Sequence, residues 1–285
     1  MKLTNIYGLP DPIVRAVSND TYRKVGDISV TGLIKSPRKV LLEARHDAEI
    51  SEDVSERIWI LLGQSVHAVL ERATSEHHLS EEKLKAEVLG WTVSGQVDLL
   101  EGDMTLSDYK VTSVFSYLLG DKPEWGVQLN CYAWLYRKQG FKPKKLQIVA
   151  ILRDWISSRA GQGDYPEAPI VVIPIKEWTD EGCQKYVEER VALHKSCLEI
   201  GDNDLPECTP QEMWERETTY AVKKCRAKRA VSGGAGFKSM AEAKVFINNN
   251  GAGLEIEERP GSRPKCERFC NAAPWCNQFK SFLEG

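Results

Sequence analysis

No stretch of this chain is apolar over the about 20 residues that a membrane-spanning helix needs, so none is expected. The first residues, MKLTNIYGLPDPIV, lack the hydrophobic core of a secretion signal, and the expected setting is soluble and cytoplasmic. Charge of neither sign prevails: 38 Lys and Arg against 41 Asp and Glu leave a formal net charge of −3. Overall charge therefore announces no polyanionic partner, although local patches remain free to do so. There is no internal repeat and no low-complexity tract, which excludes repeat architectures. No cysteine occurs before Cys131, and all eight lie from there on. Disulfides suit an oxidising compartment; in a chain with no signal core, a thiol cluster points to metal.

What is present suits one large domain with an appendage, divided at 201/202 in this 285-residue chain. Residues 1–28 have little periodicity and read as an irregular lead-in. Pro37 suits the first turn of a short helix whose Arg38, Lys39 and Arg45 read as a solvated or nucleic-acid-facing surface. Residues 51–74 predict a helix with Ile58, Leu61, Leu62, Val66, Val69 and Leu70 as its core-facing stripe. His67 and Glu71, one turn apart, share a face of it. Strands follow over 83–93, with Glu87 among them, and then a hairpin over 93–112. Residues 123–139 predict a second helix, opened by Pro123 and stopped by Gly140, with Gln128 and Tyr132 on one face. Strands at 146–154 and 169–175 and a helix at 179–200 complete the pattern. Strands interleaved with helices imply an α/β (α+β) fold with a mixed central sheet flanked by helices. From Asp202 the chain turns Gly-rich and polar, and 202–285 reads as a Cys-rich appendage.

The hairpin VSGQVDLLEGDMTLSDYKVT carries the chemistry. With Gly102, Asp103 and Met104 as a three-residue loop, and Gly102 supplying the tight turn, residues whose numbers sum to 206 face each other. Asp98 is then opposite Asp108, with Cβ atoms roughly 5 Å apart. Lys110 shares the face of Asp108, because side chains alternate along a strand. Two hard oxygen donors beside an ammonium suit a Mg²⁺ or Mn²⁺ ion acting on a phosphodiester. His67 would complete the shell from the preceding helix, and an imidazole donor suits Mn²⁺.

Four segments resemble, in order, the motifs of the PD-(D/E)XK nucleases of RecB type: GQSVHAVLE (63–71), SGQVD (94–98), SDYK (107–110) and QLNCYAWLY (128–136). The family includes the nuclease domains of RecB and AddAB, CRISPR-adaptation nucleases and phage-encoded exonucleases. The resemblance implies a restriction-endonuclease-like core and a Mg²⁺- or Mn²⁺-dependent deoxyribonuclease, more readily an exonuclease, serving DNA recombination or end-processing in a bacterial or phage-infected cell. It implies His67, Asp98 and Asp108 as metal ligands with the Tyr109 carbonyl, Lys110 as the catalytic lysine, Gln128 and Tyr132 as DNA-positioning residues, and Glu71 and Glu87 as supporting positions. DNA is the implied partner, with a recombination or single-strand-binding protein beside it; a ring-forming oligomer is compatible with such nucleases. The alternatives are a non-catalytic nucleic-acid-binding metalloprotein and a CRISPR-adaptation-type nuclease.

Cys266, Cys270 and Cys276 follow a C-x3-C-x5-C spacing. Iron–sulfur members of the family end in a similar triplet and take a fourth cysteine from near the N-terminus. Here Ser36 stands where that cysteine is expected. Cys208 is the candidate fourth ligand and Cys225 its rival. Such a tetrad suits Zn²⁺ or [4Fe–4S]. Lys223, Lys224 and Arg226, in a basic stretch of the appendage, are candidate contacts to the DNA backbone.

Overall fold

Residues 129–136 are all buried in one helix, and the core is built around them. A helix apolar on every side must be covered on every side. In the computed structural model, which describes residues 1–18, 26–73, 75, 77–120, 122–231, 236–251 and 253–284, strands cover it on one flank and a second helix on the other. The chain divides into two compact units, Met1–Gly201 and Asp202–Gly285.

The first unit holds a mixed sheet of six strands: β1 (Ile28–Ser29), β2 (Leu79–Val88), β3 (Trp91–Leu100), β4 (Thr105–Thr112), β5 (Lys145–Leu152) and β6 (Ile170–Ile175). Its order is β1-β3-β4-β5-β6, with β2 along the other edge of β3. β1 joins β3 and β4 joins β5 in parallel, while the remaining pairs are antiparallel. Four helices matter here: α1 (Pro37–Arg45), α2 (Ile58–Glu71), α3 (Pro123–Lys138), which holds the buried run, and α4 (Asp180–Ser196). Side chains such as Leu129, Leu135, Ile148 and Val187 are completely enclosed, each contributing roughly 1.5–3 kcal/mol. Gly95 lets α3 close on β3, since a Cβ there would lie 2.7 Å from Tyr132 Cε1 and 2.9 Å from Leu135 Cδ1.

One feature of the sheet positions the site. On one edge of β3, β1 pairs only with Val93 and Ser94, and β4 only with Leu99 and Leu100. Among the described residues, the stretch between, residues 95–98, has no ladder partner on that edge, and the sheet opens there. The hairpin register is the one read from the sequence, with Leu99 opposite Ser107 and Leu100 opposite Leu106. The ladder stops before Asp98 and Asp108, however, so those acids are not a paired cross-strand couple. The loop also differs: the left-handed residue is Met104, at φ +70°, not Gly102. This is the geometry of a three-residue loop closed by a left-handed third residue. Asp103 Oδ1 accepts the Thr105 N–H at 2.9 Å and holds it.

Three other expectations change. The lead-in holds a strand, Lys2–Thr4, parallel to Ser51–Asp53, and a helix, Asp11–Ser18; residues 19–25 lie outside the described residues. The helix expected over 51–74 starts only at Ile58, and Thr74 lies outside the described residues. Asp53 explains the late start. Its carboxylate accepts the Ile6 N–H at 2.9 Å and the Ser55 N–H at 3.0 Å, which ties the strand down and caps a short 3-10 turn. In α1, Arg38 is buried, so that helix does not present a wholly solvated basic face.

In the second unit, β7 (Thr219–Lys224) and β8 (Leu254–Arg259) form an antiparallel pair, and α5 (Met240–Asn250) packs on both. A C-terminal helix, α6 (Asn277–Glu284), follows the cysteine triplet.

Candidate active site

α2, β2, β3 and β4 bring their polar side chains to the opening in the sheet. His67 Nδ1 lies 3.4 Å from Asp98 Oδ1 and 3.3 Å from Glu81 Oε1. These three residues can each offer a ligand atom within 4.8 Å of the others. The other oxygen of Asp98, Oδ2, accepts the Tyr109 N–H at 2.7 Å. Asp108 is buried, and Lys110 Nζ lies 2.6 Å from its Oδ2. Lys110 also donates to Gln128 Oε1 at 3.2 Å, and Gln128 in turn donates to the Tyr132 hydroxyl at 2.9 Å. The site opens into a cavity of about 700 Å³ whose walls include His67, Glu71, Glu81, Gln96, Asp98 and Tyr132.

Charge is strongly perturbed here. Hydrogen bonding to Asp98, then to Glu81, raises His67 to about 10, because an imidazolium neutralises two carboxylates. Burial alone would raise Glu81, but hydrogen bonds from His67 and Gln96 bring it below its ordinary value. Burial raises Asp108 to about 6; Lys110 opposes the shift and Asp98 adds to it. Among the described residues, the contact to the buried Oδ2 of Asp108 is the Lys110 ammonium.

These observations fit a hard divalent cation. The donors are carboxylates and one imidazole, and His67 carries a proton that a metal would replace. His67, Glu81 and Asp98 would hold the ion, with Asp108, close enough to Asp98 and His67 to feel their charge, beside them against Lys110.

Of the residues singled out in the sequence, His67, Asp98, Asp108, Tyr109, Lys110, Gln128 and Tyr132 come together. Tyr109 meets Asp98 through its N–H, and its ring stands edge-on to His67, centroids 6.0 Å apart. Glu71 lines the cavity. Glu87 does not join: it lies near the far end of β2, opposite Thr92, whose hydroxyl donates to it at 3.2 Å. Sequence reasoning missed Glu81. The β2–β3 turn, Leu89-Gly90, has both residues at positive φ and pairs residues whose numbers sum to 179, which sets Glu81 level with Asp98. Glu81 itself has φ +54°, costing roughly 1–2 kcal/mol for an L-residue, and this twist breaks the ladder at Glu81 and Asp98. Gly90 was the available signal, but Leu-Gly lacks the Asn-Gly or Asp-Gly signature of such turns.

In the second unit, burial first, then the neighbouring thiols of Cys270, Cys208 and Cys276, raises Cys266 to about 11. Gln278, two residues after Cys276, clamps the Cys208 peptide from both sides: its Oε1 accepts the Cys208 N–H at 2.8 Å and its Nε2 donates to the Cys208 carbonyl at 2.9 Å. Cys225 is exposed, and its thiol donates to Glu255 at 3.6 Å, so it is no longer the rival for this group. Thiols that raise one another in this way, once deprotonated, suit a soft cation, zinc or an iron–sulfur cluster. The basic stretch is partly neutralised: Lys223 lies 2.6 Å from Glu257 and 3.6 Å from Glu255 on the facing strand. Lys224 and Arg226 are exposed.

No family model and no curated protein matches this chain. Among solved structures, it is similar to SSO0001, at 21% identity and a TM-score of 0.45 over 65% of this chain and 85% of that one. It is also similar to a phage-related exonuclease from Haemophilus somnus 129PT, at 13% identity and a TM-score of 0.29 over 66% of this chain and 82% of that one. Likenesses at this level say nothing of the chemistry, which rests on the site itself.

Proposed function

We propose that the chain is a metal-dependent deoxyribonuclease of the PD-(D/E)XK type, working as an exonuclease in DNA recombination or end-processing. The observation that carries this reading is the convergence of Asp98, Asp108 and Lys110 with His67 and Glu81 at one opening in the sheet. A Mg²⁺ or Mn²⁺ ion bound there supplies Lewis acidity toward the phosphodiester. Asp98 is pre-set as a ligand because the Tyr109 N–H fixes one oxygen and leaves the other toward His67. Lys110 is held between Asp108 and Gln128, where its ammonium orients the attacking water and offsets the charge gathering on the phosphoryl oxygens. Gln128, locked by Tyr132, keeps that lysine from folding wholly onto Asp108.

The four-cysteine group is proposed to bind zinc or [4Fe–4S] and to staple a unit whose own core is small. Lys224 and Arg226 are the proposed DNA-backbone contacts there; Lys223 serves the β7–β8 pair first. Digestion of end-labelled linear, nicked and circular DNA with Mg²⁺ or Mn²⁺ tests the reading. Linear DNA is degraded from its ends, circles resist, and Lys110→Met slows the reaction about 10²–10⁴-fold. Digestion by Lys110→Met at the wild-type rate would reject it.

A further inference from the structure

α2 begins Ile58-Trp59-Ile60, yet these residues are 40%, 57% and 47% exposed, and none of the helix is buried. A helix in a globular fold ordinarily buries its apolar stripe, but here Leu61, Leu62, Val66 and Leu70 are only partly buried and Ile58 and Val69 are exposed. The Arg153 guanidinium sits 4.2 Å from the Trp59 ring centroid. Arg153 is fixed at the end of the catalytic strand: its N–H donates to the carbonyl of Thr112 at 2.9 Å, two residues beyond Lys110. The neighbouring Asp154 accepts the Val114 N–H at 2.7 Å and so secures the short helix whose Phe115 is 63% exposed. An indole, a guanidinium and a phenyl ring are thus carried beside the strand that bears Asp108 and Lys110. Trp59 lies roughly 12 Å from His67 along α2, by helix rise. Between them Gly63 faces open space, with nothing within 4 Å of where its Cβ would be.

We propose that Trp59, backed by Arg153, is a stacking platform for a base of an unpaired DNA strand entering the active site. This rests on the nuclease reading and names the form of substrate it takes. Unpaired bases offer free π-faces, whereas bases within a duplex are already stacked on one another. The arginine adds the positive charge that a polyanion favours and an apolar protein partner does not. Aromatic stacking is also indifferent to sequence, as suits an enzyme that must accept successive nucleotides.

The test is binding of fluorescein-labelled oligo(dT), followed by anisotropy with Ca²⁺ in place of Mg²⁺, together with Mg²⁺-dependent digestion of single-strand-tailed and blunt duplexes. Trp59→Ala should weaken oligo(dT) binding about ten-fold, the scale of one lost base–aromatic stack, and slow digestion of tailed DNA more than of blunt DNA. Trp59→Phe should restore most of the affinity, and Arg153→Gln should lower the salt slope by about one. Thermal melting should stay unchanged for Trp59→Ala, since its side chain is mostly in solvent. If Trp59→Ala binds and digests as wild type does while Lys110→Met is inactive, the platform is wrong and the nuclease reading stands. If Trp59→Ala instead abolishes self-association with oligo(dT) affinity intact, the face is a protein interface and the platform is overturned. If wild type neither binds nor digests any DNA, both fall.

Discussion

Asp98 Oδ2 accepts the amide N–H of Tyr109 at 2.7 Å, just where β3 and β4 cease to pair through their backbones. A side chain replaces a ladder hydrogen bond, so the strands can part without stranding a donor. The same carboxylate meets His67 with its other oxygen. Opening the sheet and orienting an acid are therefore one event.

Replacing Asp98 separates its two tasks. Asp98→Asn keeps an oxygen for Tyr109 but loses the negative charge that His67 pairs with, so DNA digestion should collapse while stability falls less than in Asp98→Ala. Asp98→Ala should lose digestion and also about 1–3 kcal/mol of stability, because the Tyr109 N–H is left without its acceptor. Urea unfolding beside a nuclease assay distinguishes them; equal stability losses in the two variants would remove the anchoring role.

Asp108 is a buried acid whose ionised form is disfavoured until a cation arrives. Divalent cation should therefore stabilise the wild type, by about 2.7 kcal/mol at a hundred-fold excess over Kd, and raise its melting temperature by several degrees. Asp108→Asn should melt no lower than wild type in EDTA, and Mn²⁺ should move it little. Calorimetric melts with and without Mn²⁺ check this, and an equal shift in both proteins would place the ion elsewhere.

Gly95 has nowhere to put a methyl group. Gly95→Ala should push Tyr132 away and with it the Gln128 contact to Lys110, at about 1–3 kcal/mol in stability. Digestion should fall more than melting alone explains, which kcat measured well below the melting range would reveal.

The neighbourhood of the two acids, the lysine and the two helix motifs could be read because each sits at a fixed offset on a regular element, although the cross-strand pairing expected of Asp98 and Asp108 does not form. Asp108 and Lys110 needed only strand alternation, Asp98 the hairpin register, and Gln128 with Tyr132 only one helical turn. Glu81 was not legible, since it needed the register of a hairpin whose Leu-Gly turn carries a weak signal and a left-handed residue within a strand. Nor was the exposure of α2, because periodicity marks an apolar stripe and not what covers it. The pairing of Lys223 with Glu255 and Glu257 lay in a strand more than thirty residues on, beyond any local reading.

The cysteine group makes a prediction independent of DNA. Purified protein should carry zinc, without colour, or iron with a broad visible absorbance, and Cys266→Ser should lose it. The thiol of Cys266 feels all three others, so its loss should remove most of the bound metal and lower the melting temperature. Elemental analysis returning neither metal from the wild type would reject the site.

His194 provides a stability signature that the nuclease site does not touch. It is buried in α4, with Nε2 3.1 Å from the Leu33 carbonyl, which the Arg190 guanidinium also meets at 3.0 Å. Burial first, and then the charge of Arg190, lowers its pKa from 6.5 to about 4. Between these values the unfolded chain binds a proton that the folded chain refuses. The stabilisation is therefore complete above pH 6.5 and is lost as pH falls toward 4, by on the order of 3 kcal/mol in all. His194→Gln can still donate to Leu33 but cannot titrate, so its stability should fall less steeply between pH 7 and pH 4.5 than that of the wild type. Other acids contribute equally to both proteins and cancel in the difference. Urea unfolding of the pair across that range measures it, and parallel curves would mean that His194 is protonated in the fold as readily as in the unfolded chain.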